Sequence, residues 1–242
     1  MSNSQAVPQG TPLLSTHSLD AFYGDFQALF GVNVAVNAGE VVAVIGANGA
    51  GKTTLMRSIT GLLDNDAGMI NYMGHAIGNN RPDQIAIGGI AMVPEGRQLF
   101  PSLSVQENLM IGSQVGRQGH WNLERVCQLF PILAERRDSP STALSGGQQQ
   151  MVAIGRALMA NPDLLLFDEI SLGLAPIIIN TIYEALPDII GEGMSAVLVE
   201  QDVDRAVSVS DRVYCLQEGR VALEHDSATV SRDAISQAYF GV

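Results

Sequence analysis

The stretch VVAVIGANGAGKTTLMRSITGLL, residues 41–63, restricts the fold of this chain more than any other. It opens with VVAVI, a short and wholly apolar run of the kind found in strands buried on both faces. From Lys52 onward Leu55, Met56, Ile59, Leu62 and Leu63 recur at helical spacing, which predicts a helix running to Leu63. Between strand and helix lies GANGAGKTT, residues 46–54, a full match to G-x-x-x-x-G-K-[ST] in the setting that motif requires. Gly46, Gly49 and Gly51 let the backbone curl until successive N–H groups face one oxyanion. The following helix adds its positive end. Gly46, Ala47, Asn48, Gly49, Ala50, Gly51, Lys52, Thr53 and Thr54 are therefore the expected phosphate-binding residues of a nucleoside triphosphate site. Lys52 is expected to reach the β- and γ-phosphates, and Thr53 to give its hydroxyl to Mg²⁺.

Other apolar runs repeat the buried-strand pattern: IAMV (90–93), LLLFD (164–168) and AVLVE (196–200). Strands alternating with helical patterns predict a mainly parallel α/β sheet. Residues 13–36 read as short strands and turns, broken at YGD and closed by NAGE. Between about 100 and 160 helical patterns replace strands, for example Leu123, Val126, Cys127, Phe130 and Leu133, which predicts an inserted helical subdomain. Residues 213–224 read as a hairpin turning at Glu218-Gly219, and 231–240 as a closing helix capped by Ser231. The run LLLFDE supplies two carboxylates at a strand tip. Asp168 is expected to hold Mg²⁺ or its waters, and Glu169 to polarise a water aimed at the γ-phosphate as general base.

Charge narrows the possible partners. Thirteen Lys and Arg against 25 Asp and Glu give a net charge of −12. Such a chain repels phosphate backbones and anionic lipid heads, so neither nucleic acid nor direct bilayer insertion is expected. Any anion site must be built locally, from backbone amides and one or two cations. Cys127 and Cys215 have no CxxC spacing and predict a reduced, intracellular protein without a disulfide or zinc framework. Residues 1–12, MSNSQAVPQGTP, read as a flexible leader and not as a signal peptide, with 13–242 as the folded domain.

A second glycine pair follows in ALSGGQQQMVAIGRAL, residues 143–158. Ser145 is a natural N-cap, Gly146 and Gly147 permit close backbone approach, and the helix that follows is expected to stop at Asn161-Pro162. LSGGQ at 144–148 lies between the first phosphate motif and the strand ending Asp168-Glu169. In that order the set resembles the Walker A, signature and Walker B motifs of ABC-type ATPases, and the resemblance extends from about Leu13 to the C-terminus. It implies a P-loop ABC ATPase fold: a mainly parallel, RecA-like α/β core, an N-terminal antiparallel β region and an inserted helical subdomain. It also implies that two ATPase subunits pack head to tail, so that Ser145, Gly146, Gly147 and Gln148 serve ATP held by the partner. Tyr23 would stack on adenine.

VPEGRQLFPSLSVQENL (93–109), DEISLGLAP (168–176) and VLVEQD (197–202) resemble the short ATP-binding subunits of branched-chain amino acid importers, with relatives that carry urea or amides. This implies a Mg²⁺-dependent ATPase that powers import through integral-membrane permease subunits. Its place would be peripheral, on the cytoplasmic face of the inner (plasma) membrane, with a second ATPase subunit, identical or different. Glu95 stands where the wider family has a glutamine that senses γ-phosphate and Mg²⁺; a carboxylate still ligates Mg²⁺ through water but donates no hydrogen bond to phosphate. Gln201 replaces the switch histidine, as a donor to the γ-phosphate that cannot become cationic. Ser171-Leu172-Gly173-Leu174 lacks the usual aspartate, and Ile170 replaces proline. Two other readings remain: a soluble ABC ATPase outside transport, and a nucleotide-gated interaction module with little turnover.

Overall fold

The computed structural model describes residues 10–191 and 193–240, so most of the expected leader lies outside the described residues. In chain order the elements are β1 (Leu14–Thr16), β2 (Leu19–Tyr23), β3 (Phe26–Val32), β4 (Ala35–Val36), β5 (Val41–Ile45), α1 (Lys52–Ile59), β6 (Ile70–Tyr72), β7 (His75–Ala76), α2 (Pro82–Gly88) and β8 (Ile90–Val93). Then come α3 (Val105–Ser113), α4 (Leu123–Leu129), α5 (Pro131–Glu135), α6 (Gly146–Leu158), β9 (Leu164–Asp168) and α7 (Pro176–Ile190). The chain closes with β10 (Ser195–Val199), α8 (Val203–Ser208), β11 (Arg212–Gln217), β12 (Arg220–Asp226) and α9 (Arg232–Phe240). They form two compact units, residues 10–85 with 195–240 and residues 86–194.

In the first unit β5 is buried at all five positions. It pairs in parallel with β10 and with β11, in the registers Val44↔Val199 and Ala43↔Val213. β12 adds to β11 antiparallel through a turn in which Glu218 and Gly219 have φ of 47° and 73°. Two successive left-handed residues match the twist of the flanking strands. Around this parallel core β1 pairs antiparallel with β4 and β6, and β2 with β3. The expected class, mainly parallel α/β with an antiparallel N-terminal region, is present.

One expectation fails locally. α1 ends at Ile59, not at Leu63. Gly61 takes φ 69°, its N–H donates to Ser58 O (3.2 Å), and the Leu62 N–H donates to Arg57 O (2.9 Å). This is a Schellman closure, which a glycine just past a helix end favours. Leu62 is left 59% exposed, outside the helical stripe to which its spacing assigns it.

In the second unit β8 and β9 pair in parallel, Val93 opposite Phe167. The helical pattern from Leu123 to Leu133 is two helices, because Phe130 sits at φ −128° and ψ 82° ahead of Pro131. A residue before proline is pushed out of the helical region, yet Val126, Phe130 and Leu133 are all buried. α3 and α6 touch through glycine: a Cβ at Gly112 would meet the Arg156 carbonyl oxygen at 1.9 Å. Asn108, fully buried on α3, donates to the carbonyls of Phe100, Leu103 and Ser104 and accepts from the Phe100 N–H, which satisfies the loop before that helix. Among the described residues no helix is long and apolar enough to cross a membrane.

Candidate nucleotide site

Gly46, Gly49 and Gly51 have φ of 148°, 82° and 106°, a backbone path that other residues rarely follow. A Cβ on Gly46 would stand 2.3 Å from the main-chain oxygen of Leu216, and one on Gly51 2.6 Å from Leu29 Cδ2. Gly49 has open space around it, so only its dihedral demands glycine. The turn after β11 props the loop, Gly219 N–H donating to Ala50 O at 3.0 Å. Gly51 caps α1 without a side-chain hydrogen bond. The first-turn amides therefore receive no side-chain cap and can serve an anion. Lys52 is 4% exposed, and its ammonium donates to Gly46 O (2.7 Å) and Ala47 O (3.2 Å). A cation drawn over the loop's own carbonyls already faces the space that the loop encloses.

Thr53 is half-buried and Thr54 buried. Tyr23, 40% exposed, lies beside this helix: its hydroxyl is 3.5 Å from Thr54 Oγ1 and accepts from Arg57 Nη1 at 3.3 Å. Gln201 follows β10. Since Val44 pairs with Val199, Gly46 and Gln201 leave the sheet at the same edge, two residues further on. The first unit thus brings together Tyr23, the glycine loop and the edge carrying Gln201. Beneath them, burial pushes the Cys215 thiol up to about 11 against the opposing Lys52 charge, so it stays protonated at neutral pH.

The second unit repeats the edge logic. Val93 opposite Phe167 puts Glu95 and Glu169 at one edge, two residues beyond the pair. Asp168 ends β9 and is 1% exposed. Glu169 takes φ 49°, a costly conformation for a side-chain-bearing residue, while Ile170 is buried to 2% and anchors the turn. Ser145 caps α6 in a complete capping box: its Oγ accepts from Gln148 N–H (3.3 Å), and Gln148 Oε1 accepts from Ser145 N–H (2.9 Å). These two side chains are thus engaged by the helix itself. A Cβ on Gly147 would meet Ile178 Cγ2 of α7 at 2.4 Å, and one on Gly146 would lie 3.2 Å from Arg97 Nη2. Arg97 and Arg156 lie within the stretches 93–109 and 143–158, yet the sequence assigned neither a role, and their contacts single them out.

A family model described as ABC transporter matches residues 29–171. The chain belongs to this family. It is 42% identical to the high-affinity branched-chain amino acid transport ATP-binding protein BraG of Pseudomonas aeruginosa, over 95% of this chain and 100% of the relative. It is 32% identical to the probable branched-chain amino acid transport ATP-binding protein LivG of Methanocaldococcus jannaschii, over 88% and 89%. Among solved structures, a nucleotide-free ATP-binding cassette from an ABC transporter superposes with a TM-score of 0.79 at 30% identity, covering 94% of this chain and 95% of the other. A dimeric cassette in a post-hydrolysis state with ADP and Pi superposes at 0.78 with 25% identity, covering 88% and 98%. As an ABC cassette the chain binds nucleotide.

Proposed function

We propose that this chain is the Mg²⁺-dependent ATPase subunit of an ABC importer for branched-chain amino acids, working as one of a pair of ATPase subunits against integral-membrane permease chains. One observation carries the ATPase reading: left-handed Gly46, Gly49 and Gly51 around the buried Lys52 ammonium. The names of BraG and LivG support the solute class. Residues 13–242 form the nucleotide-binding domain, with a helical part at about 100–160.

The loop amides and Lys52 hold the β- and γ-phosphates, and Tyr23 packs on the base. Thr53, Asp168 and Glu95 are the residues that would hold Mg²⁺, which would supply charge to offset that of the phosphates. Glu169 accepts a proton from the attacking water as the new oxygen–phosphorus bond forms and the bond to the β-phosphate oxygen breaks, releasing ADP and phosphate. Gln201 donates to the γ-phosphate. Ser145, Gly146, Gly147 and Gln148 of the other subunit close over the same phosphate, so hydrolysis releases the pair. Membrane attachment runs through the permease chains, at the cytoplasmic face. The partner ATPase is this chain or a similar one.

The test is steady-state hydrolysis and solution mass with Mg-ATP. Glu169→Gln should slow turnover by about 10²-fold or more, the range that general-base catalysis supplies, and should form a nucleotide-dependent dimer. Unchanged turnover would remove Glu169 as base; a monomer that still binds ATP would point to a different ATPase partner. Glu95 and Gln201 keep a low-turnover, nucleotide-gated module as the second reading, favoured if the wild-type chain, supplied with its permease chains, binds ATP without hydrolysing it. Recovery without any integral-membrane protein would favour a soluble ABC ATPase. Permease-dependent uptake of leucine over urea or amides decides the solute.

A further inference from the structure

The loop after Glu95 is bent in a way that its residues resist. Gly96, Arg97 and Gln98 have φ of 73°, 65° and 43°, three left-handed residues in succession, of which only the first is glycine. The Gln98 N–H donates to Gly96 O at 2.7 Å. A bond spanning two residues with a positive φ at the centre is the rare, strained form of γ-turn. Such a bend persists only when its surroundings enforce it.

Arg156 enforces it. From the last turn of α6 its guanidinium donates to Gln98 O (2.8 Å) and Arg97 O (3.1 Å), and it lies 5.9 Å from the centre of the Phe100 ring. Helical side chains lean toward the helix N-terminus, which carries this grip along α6 toward its start. The main chain at Arg156 has little freedom of its own, because Gly112 of α3 presses on its carbonyl. The bend turns the Arg97 side chain onto the first turn of α6, with Nη2, Cζ and Nη1 at 3.2, 3.4 and 3.6 Å from where a Cβ on Gly146 would be. The Arg97 side chain makes no hydrogen bond or ion pair among the described residues. One loop therefore grips α6 twice, through its carbonyls at Arg156 and through a cationic side chain at Gly146.

We infer that Arg156 is a positioning residue for ATP hydrolysis: by holding the 96–98 bend it sets Glu95 and Arg97 against the Ser145–Gln148 end of α6. The inference rests on the proposed role of that helix end. It explains why a chain of net charge −12 places a half-buried arginine on two main-chain carbonyls with no carboxylate among the described residues paired with it. Arg97 then supplies, beside Gly146, the local cation that an acidic protein needs where a second subunit presents its phosphate.

The test uses the full chain with its permease subunits and Mg-ATP. Arg156→Ala should lower kcat by about tenfold to a hundredfold, the scale of a small misplacement, with KM for ATP changed far less. Adding Gln98→Gly should restore part of that loss, because glycine takes a left-handed φ unaided. Rescue of kcat without a matching change in melting temperature separates positioning from plain structural support. If Arg156→Ala folds poorly, Arg156→Lys serves, with an intermediate kcat expected at a native melting temperature. An unchanged kcat, or a loss that only tracks the folded fraction and ignores Gln98→Gly, overturns the inference. Ser145→Arg is the control for the underlying reading: if it leaves hydrolysis intact, the signature role itself fails, whereas if it abolishes hydrolysis while Arg156→Ala does not lower kcat, only the role of Arg156 falls.

Discussion

The two glycine-bearing segments proposed as phosphate cradles use the same residue for different physical reasons. In the first, Gly46, Gly49 and Gly51 carry positive φ, and the obstacle at Gly46 is a main-chain oxygen. In the second, Gly146 and Gly147 lie in the opening turn of α6, and what crowds them are side chains, Arg97 and Ile178. A backbone obstacle cannot rotate away; a side chain can. The first cradle is local, written in one strand–loop–helix segment. The second depends on residues about fifty positions upstream and thirty downstream, brought in by packing.

Substitutions test that difference. Gly46→Ala combines a left-handed dihedral with a main-chain clash and should cost about 3 kcal/mol or more, read as a fall in thermal stability together with lost nucleotide binding. No single side-chain truncation should repair it. Gly147→Ala should cost about 1–3 kcal/mol, the usual range for overpacking, and Ile178→Ala should relieve much of it. Strictly additive losses in that double variant would break the comparison, because residues in contact are expected to couple.

A smaller effect is pH dependence on β11, the strand that props the first cradle. Burial pushes Tyr214 from 10.0 up to about 12 and Cys215 from 9.0 up to about 11. Their folded pKa values are raised, so the folded state keeps protons that the unfolded state has released. The stability they contribute is present below pH 9 and is lost as pH rises, through about 11 for Cys215 and about 12 for Tyr214. Alkaline melting curves should flatten in Tyr214→Phe. Smallest is a labelling contrast: at pH 8 a maleimide should modify half-buried Cys127 before fully buried Cys215 in the native protein, and equal rates would deny the first cradle its dry floor.

Much of the fold was readable from local pattern. VVAVI, IAMV and LLLF are strands, as short apolar runs between helical patterns suggest, and Ser145 and Ser231 cap helices because their hydroxyls accept from main-chain N–H groups three residues on. The readings that failed concern where helices stop. Apolar spacing continued to Leu63 while the Gly61 closure had already ended α1, and the helical pattern from Leu123 to Leu133 is shared by two helices that part before Pro131. Both signals were present as glycine and proline, but periodicity outvoted them.

The bend of the first glycine loop could be read from sequence because its glycines are contiguous with the strand and helix that it joins. Which side chains surround Gly146 and Gly147 was not legible, since neither Arg97 nor Ile178 carries any mark of that neighbour. The strained turn at 96–98 was equally hidden, because Arg97 and Gln98 adopt left-handed angles against their own preference and Arg156, almost sixty residues away, grips their carbonyls. Local preference decides a conformation until a distant hydrogen bond outweighs it, and that distant bond exists only once the chain has folded.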